Sequence, residues 1–89
     1  MNITEVRIWL IQKEDSKLKG IASVTLFDSI VIHDIKIIEG ADGFFIAMPS
    51  RKTGENEYRD IVHPINSESR AILSNAILSA YNKEIASQE

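Results

Sequence analysis

Tyr58-Arg59-Asp60-Ile61-Val62-His63-Pro64-Ile65-Asn66-Ser67-Glu68-Ser69-Arg70-Ala71-Ile72-Leu73 is the stretch in which the chain changes its hydrophobic period. Pro64 has no N–H to give to a ladder, so a central strand cannot pass through it. Asn66 or Ser67 then offers a side-chain oxygen to cap a helix, and Glu68 places negative charge in the first turn. Downstream, apolar residues fall at Ile72, Leu73, Ala76, Ile77, Ala80 and Tyr81, which is helical spacing, and Leu78 and Ile85 widen the stripe. Burying Leu73 and Ile77 contributes roughly 1.5–3 kcal/mol each. The spacing therefore predicts one C-terminal helix that packs on whatever precedes it.

What precedes it reads as strands. Val6, Ile8 and Leu10 alternate with Glu5, Arg7 and Trp9, so residues 2–12 are expected to form a half-buried strand. The polar run 13–20 ends in Gly20 and reads as a hairpin loop. Residues 21–27 form a second strand, Asp28-Ser29 a turn, and the β-branched run 30–38 a third strand. Glu39-Gly40-Ala41-Asp42-Gly43 is a turn, and Phe44-Phe45-Ile46-Ala47-Met48 a short buried strand that Pro49 ends. Residues 50–56 are expected to be a polar loop and residues 57–62 a fifth, weaker strand. Five strands followed by one helix predict an α+β fold with an antiparallel, meander-like sheet, forming a single domain over 1–89.

Eighty-nine residues bury a limited share of their surface, and a domain of this size usually gains stability from a crosslink, a metal or a partner subunit. There is no cysteine and there are two histidines, so a disulfide is excluded and a structural zinc site is not expected. Association remains, and a homodimer is expected. The start Met1-Asn2-Ile3-Thr4-Glu5-Val6 lacks a basic region followed by a long apolar run, so it does not read as a signal peptide. Residues 30–38 are too short and too charged to cross a bilayer. A cytoplasmic protein without membrane insertion is expected. The net charge of -3 runs against strong duplex binding, although a local basic patch can still create its own field.

His33-Asp34 and the pair Asp60 and His63 are the candidates for acid–base or metal chemistry. Their spacing matches no motif with a known mechanism, and a histidine that hydrogen-bonds the sheet or a loop is the simpler reading. Neither catalytic residue, metal nor cofactor is expected. Ser50-Arg51-Lys52-Thr53-Gly54 places adjacent cations beside hydroxyls and a glycine, a composition suited to phosphate contacts. It is not a P-loop, because the glycine spacing and the Gly-Lys-Ser/Thr order are absent. Tyr58 beside Arg59 can stack a base, or can be an ordinary sheet-surface pair. Arg70 and Lys83 are isolated helix cations, for which solvation or pairing along the helix is the default.

Three runs together resemble the stage V sporulation protein G (SpoVG) family. They are Val31-Ile32-His33-Asp34-Ile35-Lys36-Ile37-Ile38-Glu39-Gly40, Gly43-Phe44-Phe45-Ile46-Ala47-Met48-Pro49-Ser50-Arg51-Lys52-Thr53 and Glu57-Tyr58-Arg59-Asp60-Ile61-Val62-His63-Pro64-Ile65-Asn66. The opening Ile3-Thr4-Glu5-Val6-Arg7 is similar as well, and the resemblance covers about residues 2–81. It implies a dimeric protein with a sheet and a C-terminal helix, linked to septation and sporulation, that regulates by binding DNA or in some cases RNA. It also implies that Arg51 and Lys52, with Arg59 nearby, and Arg70 on the helix, carry the binding. The tail from Ser79 onward departs from that pattern, with one lysine and two glutamates. The alternative is a module that binds a regulator or division protein without touching nucleic acid.

Overall fold

The computed structural model describes residues 2–88; Met1 and Glu89, the two ends of the expected 1–89 domain, lie outside the described residues. Strands β1 (Ile3–Leu10), β2 (Leu18–Leu26), β3 (Ile30–Gly40) and β4 (Gly43–Ala47) form one sheet in chain order, each antiparallel to the next. Two short strands, β5 (Ser50–Lys52) and β6 (Tyr58–Asp60), pair only with each other. Helix α1 (Ser67–Gln88) closes the chain.

The registers explain the core. Ile8 lies opposite Ala22, which lies opposite Ile35, and Leu10, Gly20, Ile37 and Ile46 form the next row. These rows share one face of the pleat, and α1 lays Leu73, Ile77 and Tyr81 across it. Val24, Ile35, Ile37 and Ile77 are fully buried. The helical spacing read from the sequence is the one that packs, with Leu78 and Ile85 half-buried beside it and Ile72 exposed at the margin. Gly20 permits the close approach: a Cβ there would lie 3.3 Å from the Trp9 carbonyl and 3.6 Å from the Tyr81 ring. Above it, Phe44 meets Tyr81 edge to face, with ring centroids 5.4 Å apart. The helix starts where capping chemistry places it. The Ser69 N–H donates to Asn66 Oδ1 at 2.7 Å, so Asn66 is the cap.

The turns carry left-handed backbone. Phe27 and Asp28 have φ of 56° and 52°, and the Ser29 N–H donates to the Leu26 carbonyl at 2.9 Å. That is a type I′ turn, whose twist matches its flanking strands. In β3 an extra residue breaks the alternation: Ala22 faces Ile35 and Val24 faces Ile32, so Ser23 alone opposes His33 and Asp34. Asp34 takes φ of 62° at this bulge.

The α+β class and antiparallel meander agree with the sequence reading, and the layout differs in its second half. Residues 50–56 do not form a simple loop, because their first three residues are β5. The expected fifth strand contracts to Tyr58–Asp60 and leaves the main sheet. Pro49 is the physical reason: it cannot donate, and its carbonyl instead accepts the Ile61 N–H at 2.7 Å, which closes the base of a separate two-stranded arm. β2 starts at Leu18, earlier than its apolar run, because the Lys19 carbonyl accepts the Ile11 N–H and the Lys17 carbonyl accepts the Glu39 N–H. Phe44 and Phe45 of β4 are exposed, while Ile46 is buried. The radius of gyration is 13.4 Å. A compact chain of this length would have about 12 Å.

Candidate nucleic-acid interface

The arm is a ladder of three pairs: Ser50 with Asp60, Arg51 with Arg59, and Lys52 with Tyr58. The Ile61 N–H closes it at the base, and the Thr53 N–H closes it near the tip by donating to the Glu57 carbonyl at 2.9 Å. Alternation divides the pairs between two faces. Arg51 and Arg59 share one face; Ser50, Asp60, Lys52 and Tyr58 share the other. All six residues are exposed.

The pairing of Arg51 with Arg59 is the main electrostatic feature. Residues directly opposite in an antiparallel pair hold their Cβ atoms about 4.5–5.5 Å apart, and like charges there repel. Neither guanidinium has an acidic partner: the ion pairs among the described residues join Arg7 to Glu5 and Lys19 to Glu39. Two unneutralised guanidiniums held side by side suit an anionic group that bridges them, since each offers a planar fork of donors. On the other face, Lys52 stands across from Tyr58, which is 66% exposed, so a cation and an open aromatic ring are neighbours. Tyr58, Arg59, Asp60 and His63 line a shallow concavity of about 440 Å³ at the arm's flank.

The structure thus brings together four of the five residues singled out from the sequence: Arg51, Lys52, Tyr58 and Arg59. Arg70 stands apart on the first turns of α1, exposed, with its N–H donating to the Asn66 carbonyl at 3.1 Å. The acid–base candidates do not form one group: Asp60 and His63 share the concavity at the arm's flank, and His33 and Asp34 lie elsewhere. His33 and Asp34 lie on the β3 bulge, Asp60 on the arm, and the His63 ring beside the Pro64 carbonyl at 3.0 Å. No group of three or more histidines and carboxylates gathers among the described residues. Among the described residues, no helix is long and apolar enough to cross a membrane. The sequence did not reveal that Arg51 faces Arg59, because β5 is three residues long and too short for a period to show. The available signal was the Pro49 break followed by polar residues around Gly54, which can be read as a hairpin as well as a loop.

The chain as a whole is similar to known proteins. The SpoVG family model matches residues 1–83. A protein of Finegoldia magna named "Putative septation protein SpoVG" is 56% identical over 88 residues, covering 99% of this chain and 81% of its own. Its namesake in Agathobacter rectalis is 54% identical over 85 residues, 96% of this chain and 97% of the relative. The Clostridioides difficile namesake is 51% identical over 89 residues, 100% and 96% of the two chains. The match runs through the sheet, the arm and most of the helix, and the chain belongs to the SpoVG family.

Proposed function

We propose that this chain is a cytoplasmic homodimeric regulator, acting in septation and sporulation and in gene expression, that binds DNA or RNA through its β5–β6 arm. The septation link rests on family membership and on the names of the relatives. The nucleic-acid reading rests on one observation, the unneutralised Arg51–Arg59 pair across the arm. Phosphate bridging the two guanidiniums converts a repulsion into two charge-assisted contacts. Lys52 adds a third cation and Tyr58 a ring on which an unpaired base can stack. Arg70 contributes less, because it lies near a helix N-terminus where positive charge is disfavoured. The chemistry is binding: the reading assigns no catalytic residue, metal or cofactor.

The test is a salt titration with mixed DNA and RNA pools. Two copies offer six arm cations; if all six meet phosphates of a single strand, log K falls against log salt with a slope of about -4. Arg51→Ala with Lys52→Ala weakens binding to all sequences alike and flattens the slope, because phosphate contacts carry little sequence information. An unchanged slope in the double variant removes the arm from the interface. A second reading, a module that docks on a regulator or division protein, draws on Ile61 and Ile65, which are 66% and 87% exposed beside the arm. Absence of any nucleic-acid binding by the wild type at low salt decides for it.

A further inference from the structure

The face of the main sheet turned away from α1 carries a concavity that the proposed function does not use. The register places Trp9 opposite Ile21 and Arg7 opposite Ser23 on this face, and the bulge sets His33 and Asp34 together across from Ser23. Trp9, Ile21, Ser23, His33 and Asp34 line a hollow of about 500 Å³. Small-ligand sites occupy about 300–1,000 Å³.

Its floor is a serine. Ser23 is 4% exposed, the one buried polar residue among those described. Its hydroxyl makes no hydrogen bond among the described residues. No buried side-chain oxygen or nitrogen there is sealed off without a partner, so this hydroxyl opens into the hollow. Buried polar groups are normally paired, and here the partner has to enter through the hollow.

The walls say what enters. Trp9 is 52% exposed and offers a ring face. Asp34, exposed and outside both ion pairs, offers two carboxylate oxygens that only accept. The bulge, where Asp34 has φ of 62°, brings that residue to the same hollow as Ser23. Lys36, opposite Ile21 in the neighbouring row, is exposed and outside both ion pairs as well. An aromatic face, paired acceptors and a nearby cation match a nucleotide, and the acceptors select its base. Guanine presents two adjacent donors, N1–H and its N2 amino group, to the two oxygens of a carboxylate. Adenine and cytosine set one amino group beside a ring nitrogen that repels a carboxylate, and uracil sets one N–H between two carbonyls.

We propose that this hollow binds a guanine nucleotide, free or as one unit of a single strand. The base stacks on Trp9, its N1–H and N2 amino group donate to Asp34, the Ser23 hydroxyl donates to its O6, and its phosphate meets Lys36. The site is separate from the arm and does not depend on it.

Trp9 is the only tryptophan of the chain, so its fluorescence reports on the site directly. Guanosine monophosphate added to the intact protein is expected to quench it saturably. Uridine monophosphate binds at least about ten-fold more weakly, the discrimination that a good bidentate pair gives. Asp34→Asn keeps a side chain that tolerates left-handed backbone and is expected to abolish that preference. Ser23→Ala weakens guanine binding several-fold with circular dichroism unchanged, and it carries the test if Asp34→Asn fails to fold. Trp9→Ala, read by equilibrium dialysis, loses about ten-fold or more. A second arm compares a short oligouridine with the same strand carrying one central guanine. Quenching by the monophosphate identifies a free nucleotide as ligand; guanine-dependent quenching by the strand alone identifies a base reader. If neither guanine ligand outperforms its uracil counterpart, the inference falls. It also falls if the guanine preference survives both Asp34→Asn and Ser23→Ala. The two readings fail separately. A protein that binds strands through the arm with no guanine preference sinks only this inference. Guanosine monophosphate binding by a protein whose salt slope ignores Arg51 and Lys52 sinks only the arm.

Discussion

On the helix-covered face of the sheet, Val24, Ile35, Ile37 and Ile77 have no solvent-accessible surface, whereas every residue of β5 and β6 is exposed. Both regions are antiparallel strands from one short chain. The first is held by apolar burial on a pleat that α1 closes. The second is held by six residues of ladder and a proline carbonyl, and an isolated two-stranded hairpin is marginal in water. The difference separates tasks: the face supplies stability and tolerates little change, and the arm supplies charge and tolerates much.

The largest effect that checks this comes from the buried side. Ile77→Ala opens a cavity under the helix and is expected to cost about 2–5 kcal/mol, read from urea unfolding. A loss below about 1 kcal/mol would mean that α1 settles elsewhere and that the face is less committed than its packing indicates. A smaller effect depends on pH. Burial, with Glu39 adding to it, raises the pKa of the Tyr81 phenol above its ordinary value of 10.0. The folded chain therefore holds that proton more tightly than the unfolded chain. Tyr81 contributes this stability fully below pH about 10 and loses it as pH rises through the raised value. Urea midpoints from pH 8 to 11 should fall less in Tyr81→Phe than in wild type; parallel curves would show that the phenol is not the group responsible. The smallest effect comes from the arm. Arg51→Thr removes one of two facing cations and is expected to raise stability by a few tenths of a kcal/mol, since like-charge pairs across a ladder cost about 0.2–1 kcal/mol. If it lowers stability instead, the guanidiniums are not repelling each other in the free protein.

The helix and the first four strands were legible because their residues repeat often enough to show a period. Ile72, Leu73, Ile77 and Tyr81 mark a helix, and Val6, Ile8 and Leu10 mark a strand, before any contact is known. The cap at Asn66 was narrowed to two residues by side-chain chemistry, and the geometry chose one. The arm was not legible as an arm. A three-residue strand has no measurable period, and the departure of β6 from the main sheet depends on where the Pro49 carbonyl points. Charge, aromaticity and the family resemblance singled out Arg51, Lys52, Tyr58 and Arg59, yet the Arg51–Arg59 opposition is a matter of register, which the sequence does not state. The β3 bulge was hidden for the same reason: His33 and Asp34 look like ordinary alternation until Ser23 is seen to face both.

The strict chain order of the main sheet, β1-β2-β3-β4, has a consequence for how the molecule is made. Each strand pairs with the one synthesised just before it, so the sheet assembles through near-neighbour contacts, which are the fast ones. The helix breaks that order: it comes last and packs against β1, the first strand to appear. At about 5–20 residues per second, the 22 residues of α1 take roughly 1–4 s to synthesise. During that interval all four strands of the main sheet have been synthesised and the helix that covers Ile35 and Ile37 has not. Any sheet that forms before α1 is made has a bare apolar face, and Leu73, Ile77 and Tyr81 are the residues that cover it.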